Sequence, residues 1–245
     1  MRANGLVWAA GLWLALSAPA AAAEGAYFVL VFGAQRPVFK VPRYSHSFAT
    51  FAHLLPDGRL EAFTISWLPA TAEVRPFRLE PEPGFNFDLH ATLRFCCQNR
   101  MEVACWGPYQ IHPDLWHRAC WQKGRLEGGQ VLYKAYDAGS PDGQVSNCLH
   151  AVEYMARVPG ARQPNVILAP ANWGESGSYW IALALRPWYL EPCRTHDWLF
   201  PPLGLDSSAL IRYGLDRNPT RNPVTRAAQA ILHPQLLPDR IDCRP

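Results

Sequence analysis

Two residues of this 245-residue chain have the types and the placing that nucleophilic chemistry needs. Cys148 follows Ser146-Asn147, either of which is a good helix cap, so its sulfur falls in the first turn of a helix expected to reach about Arg157. Unpaired backbone N–H groups at such a turn favour the thiolate, the form of cysteine that attacks carbonyls, and can also receive an oxyanion. A thiol of this kind needs an imidazole within hydrogen-bond reach and a third group to orient the ring. His46, near the head of a β-compatible run, is the candidate base. Ser66 or Thr64, across an expected hairpin, is the candidate orienting hydroxyl. His150 lies two positions beyond Cys148, and residues at that helical spacing do not face each other, so it is read as structural. The competing reading of Cys148 is an ordinary half-cystine.

The rest of the chain sets the context for that thiol. Residues 1–23 carry a basic start at Arg2, an apolar stretch from Gly5 to Ser17 and small residues at Ala21-Ala22-Ala23. Together these read as a cleavable signal peptide, and the stretch is shorter than the roughly 20 residues of a spanning helix. The expected location is therefore periplasmic or secreted, with no stable membrane span after processing. In an oxidising compartment cysteines pair by default, and all seven (Cys96, Cys97, Cys105, Cys120, Cys148, Cys193 and Cys243) follow the leader. Seven is odd, so at least one is left over. If the other six pair among themselves, the remaining thiol is Cys148.

Cys96, Cys97, Cys105, His112, His117 and Cys120 form a second cluster of metal-capable side chains. It lacks a Cys-x-x-Cys knuckle, and export favours disulfides, so no metal or cofactor is expected. Trp106-Gly107-Pro108-Tyr109, with Trp67, Trp173, Trp180 and Trp188, could line a groove for acyl or sugar groups. Trp106 and Tyr109 are the substrate-binding candidates, against the alternative that these aromatics are core. A net charge of +3 with scattered Lys and Arg argues against a nucleic-acid surface.

His46-Ser-Phe-Ala-Thr-Phe and Asn147-Cys148-Leu149-His150-Ala151-Val152 resemble the His strand and nucleophile helix of the circularly permuted papain-like proteins. That group includes the lecithin–retinol acyltransferase-like enzymes and permuted relatives of the NlpC-type peptidases. In them the His-bearing strand precedes the nucleophile helix, as position 46 precedes position 148. The resemblance spans roughly residues 44–157. It implies a permuted papain-like core and thiol-dependent hydrolysis or transfer at an amide or ester through an acyl-enzyme, on a peptide, cell-wall or acyl substrate. The alternative is an exported binding or structural protein, stapled by disulfides and without catalysis.

The elements that must position these residues read as an α+β domain, an antiparallel sheet packed with helices. Residues 26–33 form a buried strand; residues 46–54 and 60–68 form a hairpin turned by Pro56-Asp57-Gly58, which puts position 46 near positions 66 to 68. Asp88 caps a helix to about Gln98, a short strand covers 103–106 and ends at Gly107-Pro108, and Pro113 opens a helix stopped by Gly128-Gly129. A strand covers 130–136, and helices cover 176–185 and 222–232. The expected division is a leader (1–23), a core (24–158) and a C-terminal extension (159–245).

Overall fold

The run Ala-Tyr-Phe-Val-Leu-Val-Phe is apolar on both faces, as a strand must be when helices cover it above and below. It becomes β1 (Ala26–Gln35), the centre of the fold in a computed structural model that describes residues 25–37, 44–137, 143–156 and 173–216. The expected leader and the expected helix at 222–232 lie outside the described residues. β2 (Ser45–Leu54) pairs antiparallel with β1, and β3 (Leu60–Ile65) pairs antiparallel with β2. The hairpin register runs from Leu54↔Leu60 to Ala49↔Ile65, which centres the turn on Asp57 as expected.

The 60–68 run is not one strand. It breaks at Ser66, and β4 (Trp67–Pro69) belongs to a second sheet with β5 (Glu82–Asn86), β7 (Leu132–Tyr133) and β8 (Val145–Ser146). Asn86 stitches the break. Its Oδ1 accepts from the Ser66 N–H at 2.8 Å and its Nδ2 donates to the Thr64 carbonyl at 3.0 Å. Chain polarity explains the miss, because the apolar pattern continues across a bend that only a later asparagine satisfies.

α1 (Leu89–Gln98) is capped by the Asp88 carboxylate, and α2 (Pro113–Glu127) opens on Pro113 and stops at Gly128. Between them β6 (Glu102–Ile111) is longer than expected and runs straight through Gly107-Pro108, where its pairing with β1 shifts register between Val29 and Val31. α3 (Cys148–Glu153) is shorter than expected and passes into a 3₁₀ turn at Tyr154–Ala156. α4 (Glu175–Leu185) packs on β1, β2 and α3, and β9 (Ile211–Tyr213) adds a parallel strand beside β6. The main sheet therefore has the order β3-β2-β1-β6-β9, so part of the expected C-terminal extension is built into the sheet. The molecule is a mixed α+β fold of two sheets packed with helices.

The pleat divides the core in two. Phe28, Leu30, Phe32 and Ala34 of β1 and Phe48 and Ala52 of β2 face α1, where they pack with Leu89, Phe95, Cys96 and Cys105. Val29 and Val31 of β1 and Ala49 and Phe51 of β2 face α2, α3 and α4. Each of these large side chains contributes roughly 1.5–3 kcal/mol by leaving water. Gly33 lets α4 approach: a Cβ there would lie 2.8 Å from the Glu175 Cα and 2.9 Å from the Ser178 Cβ.

Candidate functional site around Cys148

Asn147 caps α3 as expected, its Oδ1 accepting from the His150 N–H at 2.9 Å, so Cys148 is the first helical residue. Its thiol is free. β2 outruns β3 by four residues, since the hairpin ladder stops at Ala49, and α3 fills the vacated edge. The Ser47 backbone N–H points at the Cys148 sulfur, as do the N–H groups of Leu149 and of Cys148 itself. These donors favour a thiolate, but desolvation of the sulfur outweighs them and Asp137 adds to it, so the thiol is pushed up to about 11. The residue as a whole is half-buried because one side of it opens on a cleft.

That cleft is narrow, with a cavity volume of about 30 Å³, and is walled by Ser45 and Ser47 of β2, Val74, Tyr133, Ala135, Asn147, Cys148, Leu149, Trp173 and Gly174. The Ser178 hydroxyl ties the Ser47 side of β2 to α4, bonding the Phe32 carbonyl at 2.8 Å and the Ser47 Oγ at 2.7 Å. Burial pushes the Tyr133 hydroxyl well above its ordinary range, so it stands at the cleft as a neutral phenol.

His46 sits between the two serines on β2 but does not line the cleft. The pleat turns its ring to the α1 face, where it stacks on Phe48 at 5.5 Å and meets the edge of Phe95 at 6.1 Å. It is 1% exposed, and burial lowers its pKa to about 3. The expected contact with Cys148 is therefore corrected: no hydrogen bond joins the two side chains, and His46 Nδ1 has no hydrogen-bond partner at all. Pairing of the sequence motifs gave their order along the chain but not the parity of the pleat, which sends positions 46 and 47 to opposite faces.

Of the two expected hydroxyls, Ser66 is the one beside the His46 ring. Its Oγ lies 2.8 Å from His46 Nε2 and 2.8 Å from Thr92 Oγ1, which in turn lies 2.7 Å from the Asp88 carbonyl. Thr92 Oγ1 is the donor in both contacts, to the Asp88 carbonyl and to Ser66 Oγ, so either partner of the Ser66–His46 contact can carry its proton. His46 Nδ1 is buried with no hydrogen-bond partner. Thr64 plays no part, because its hydroxyl pairs with Thr50 Oγ1 at 2.9 Å.

Other expectations also change. Trp106 and Tyr109 are buried in the core on the α4 side, 0% and 1% exposed, and do not reach the cleft; Trp173 does. Cys96 and Cys105 are buried free thiols pushed up to about 12 by burial, while Cys97 and Cys120 are exposed and free. Cys148 is thus not the lone thiol, and the argument from an odd count fails. Cys193 is disulfide-bonded, and no disulfide joins two described residues. Among the described residues no three His, Cys, Asp or Glu side chains converge as metal ligands would. His150 is structural in an unforeseen way, through a short contact with Asp137.

Comparison of the chain with family models, curated proteins and solved structures finds no match in any of the three. Among the described residues no helix is long and apolar enough to cross a membrane.

Proposed function

We propose that this protein is an exported thiol hydrolase or acyl/amide transferase on a permuted papain-like core, with Cys148 as nucleophile and His46 as base. The observation that carries this reading is the His46 ring. One nitrogen is anchored on Ser66, and the other, Nδ1, is buried without a hydrogen-bond partner, on the residue next to the one whose N–H meets the Cys148 sulfur. A buried polar atom left unpaired costs about 1–3 kcal/mol, and in the tautomer protonated at Nε2 a catalytic base recovers that cost when a proton is delivered to Nδ1.

The resting pair is neutral thiol and neutral imidazole. Attack then requires the ring to carry its proton on Nε2, and the sulfur to move from the Ser47 edge toward Nδ1, give up its proton to that nitrogen and add to the substrate carbonyl. The imidazolium returns the proton to the leaving group, and water repeats the sequence on the acyl-enzyme. The vacated N–H groups of Ser47 and Leu149 are placed to receive the oxyanion. The cleft presents Ser45, Asn147 and Trp173 beside the thiol, polar and aromatic groups that a substrate carbonyl and its acyl chain would meet.

A second reading is favoured by the missing Cys148–His46 hydrogen bond and by the thiol being held neutral: a binding protein whose cleft takes a ligand without turning it over. Hydrolysis of p-nitrophenyl butyrate by purified protein, Cys148→Ala and His46→Ala separates the two. Turnover lost in both variants supports the enzyme. Turnover absent, or present equally in all three proteins, supports the binding protein.

A further inference from the structure

A buried His–Asp pair stands behind Cys148. His150 Nδ1 lies 2.7 Å from Asp137 Oδ2 and 2.8 Å from Oδ1, with side-chain exposures of 5% and 0%. The same carboxylate accepts from the Asn147 N–H at 2.9 Å. Asn147 answers by accepting from the His150 N–H and donating from Nδ2 to the Ala135 carbonyl at 3.4 Å. The segment that carries Asp137 also supplies Tyr133 and Ala135 to the cleft wall, and its backbone is tied to the chain before α3 by Tyr133↔Ser146 pairing and by the Lys134 N–H to the Ser146 carbonyl at 3.2 Å.

Cys148 lies between the two residues that Asp137 holds. With positions 147 and 150 both fixed to one carboxylate, the first turn of a six-residue helix cannot rotate or fray, and such a short helix has little stability of its own. A buried His–Asp pair is expensive to assemble and earns its place only with its lone pairs satisfied, as they are here by the Asn147 N–H. Stability alone does not call for this: the nearby α3 residues Leu149, Ala151 and Val152 already anchor the helix in the core.

We infer that Asp137 and His150 are positioning residues for Cys148, a latch that holds its sulfur at the Ser47 edge of β2. The inference rests on the thiol chemistry proposed above. It places the latch outside the reacting atoms: neither side chain lines the cleft.

The test is a double-mutant cycle on p-nitrophenyl butyrate hydrolysis, using Asp137→Asn, His46→Ala and the pair, with His150→Leu and His150→Asn alongside. The four other free thiols in the described residues report folding in the same samples: Cys96 and Cys105 stay protected from iodoacetamide while Cys97 and Cys120 react. A latch that positions the sulfur predicts kcat lower by about tenfold or more in Asp137→Asn with KM little changed, since small misplacements cost that much. It also predicts that His46→Ala adds almost nothing in that background. His150→Asn, which keeps a donor near the Nδ1 position, stays close to wild type, and His150→Leu does not. Additive effects, or equal rates in the two His150 variants, overturn the latch. If Asp137→Asn exposes Cys96 and Cys105, the two His150 variants decide by the same criterion. Turnover that needs Cys148 yet ignores the latch removes this inference alone, whereas no Cys148-dependent turnover removes the proposed function with it.

Discussion

The two faces of β2 are made by alternate residues of one strand, yet they are chemically unlike. The face of His46 and Phe48 is dry and aromatic, and its polar groups form one closed chain from the imidazole through Ser66 and Thr92 to a carbonyl. The face of Ser45 and Ser47 opens on a cleft and carries the thiol, several hydroxyls and small residues that admit α4. One face holds the imidazole in a packed aromatic setting; the other leaves an unfilled cleft beside the thiol. In the proposed mechanism the base and the nucleophile come from the two faces and have to meet across the strand edge, where β3 has turned away at Ser66.

The strongest way to break this picture is to remove one group from each face. Cys148→Ala should abolish ester turnover, and His46→Ala should lower it by about 100-fold or more, in the range of general-base catalysis. If His46→Ala leaves the rate unchanged, the faces are independent and the dry one is only core.

Acid titration sharpens the contrast next. The His46 pKa falls from 6.5 to about 3 on folding, so below pH 6.5 the unfolded chain takes up a proton that the folded chain refuses. The stability contributed by the neutral ring is complete above pH 6.5 and is lost as pH falls toward 3, by an amount on the order of 5 kcal/mol. His46→Gln, which keeps a donor for Ser66, should flatten that acid limb in urea melts at several pH values. An unchanged limb contradicts the burial of a neutral imidazole.

Much of this architecture is legible in the residues. Asp88, Pro113, Gly128 and Asn147 mark helix ends through groups that satisfy orphan backbone donors or stop the chain, and each acts where its type predicts. Pro56-Asp57-Gly58 fixes the hairpin register, and with it the meeting of His46 and Ser66. What local pattern does not carry is the long-range settlement of polar groups. Asn86 breaks the 60–68 run from twenty residues away, and Asp137 binds His150 from the far side of a loop. Trp106 and Tyr109 look like groove residues by composition and are core by burial, since an aromatic side chain fills either place equally well. Among the described cysteines five are free and Cys193 alone is disulfide-bonded, because pairing depends on distances that cysteine count does not encode.

Two smaller effects test the cleft face. Gly33→Ala would press a methyl into the Glu175 and Ser178 backbone and side chain, so it should cost about 2 kcal/mol in denaturant unfolding as α4 is pushed off β1. A cost near zero would mean that the seam between α4 and β1 is loose. Thr64→Val, on the dry side, should cost about 1–2 kcal/mol by leaving the Thr50 hydroxyl unpaired, with turnover unaffected. A turnover loss there would return Thr64 to the site.

The most direct measurement is mass spectrometry of the protein quenched in acid during reaction with p-nitrophenyl butyrate. The account predicts a butyryl group on Cys148 within the first turnover, absent from Cys148→Ala and much slower to form in His46→Ala. A butyryl group on another residue, none at all, or the same rate of acylation with and without His46 would contradict it.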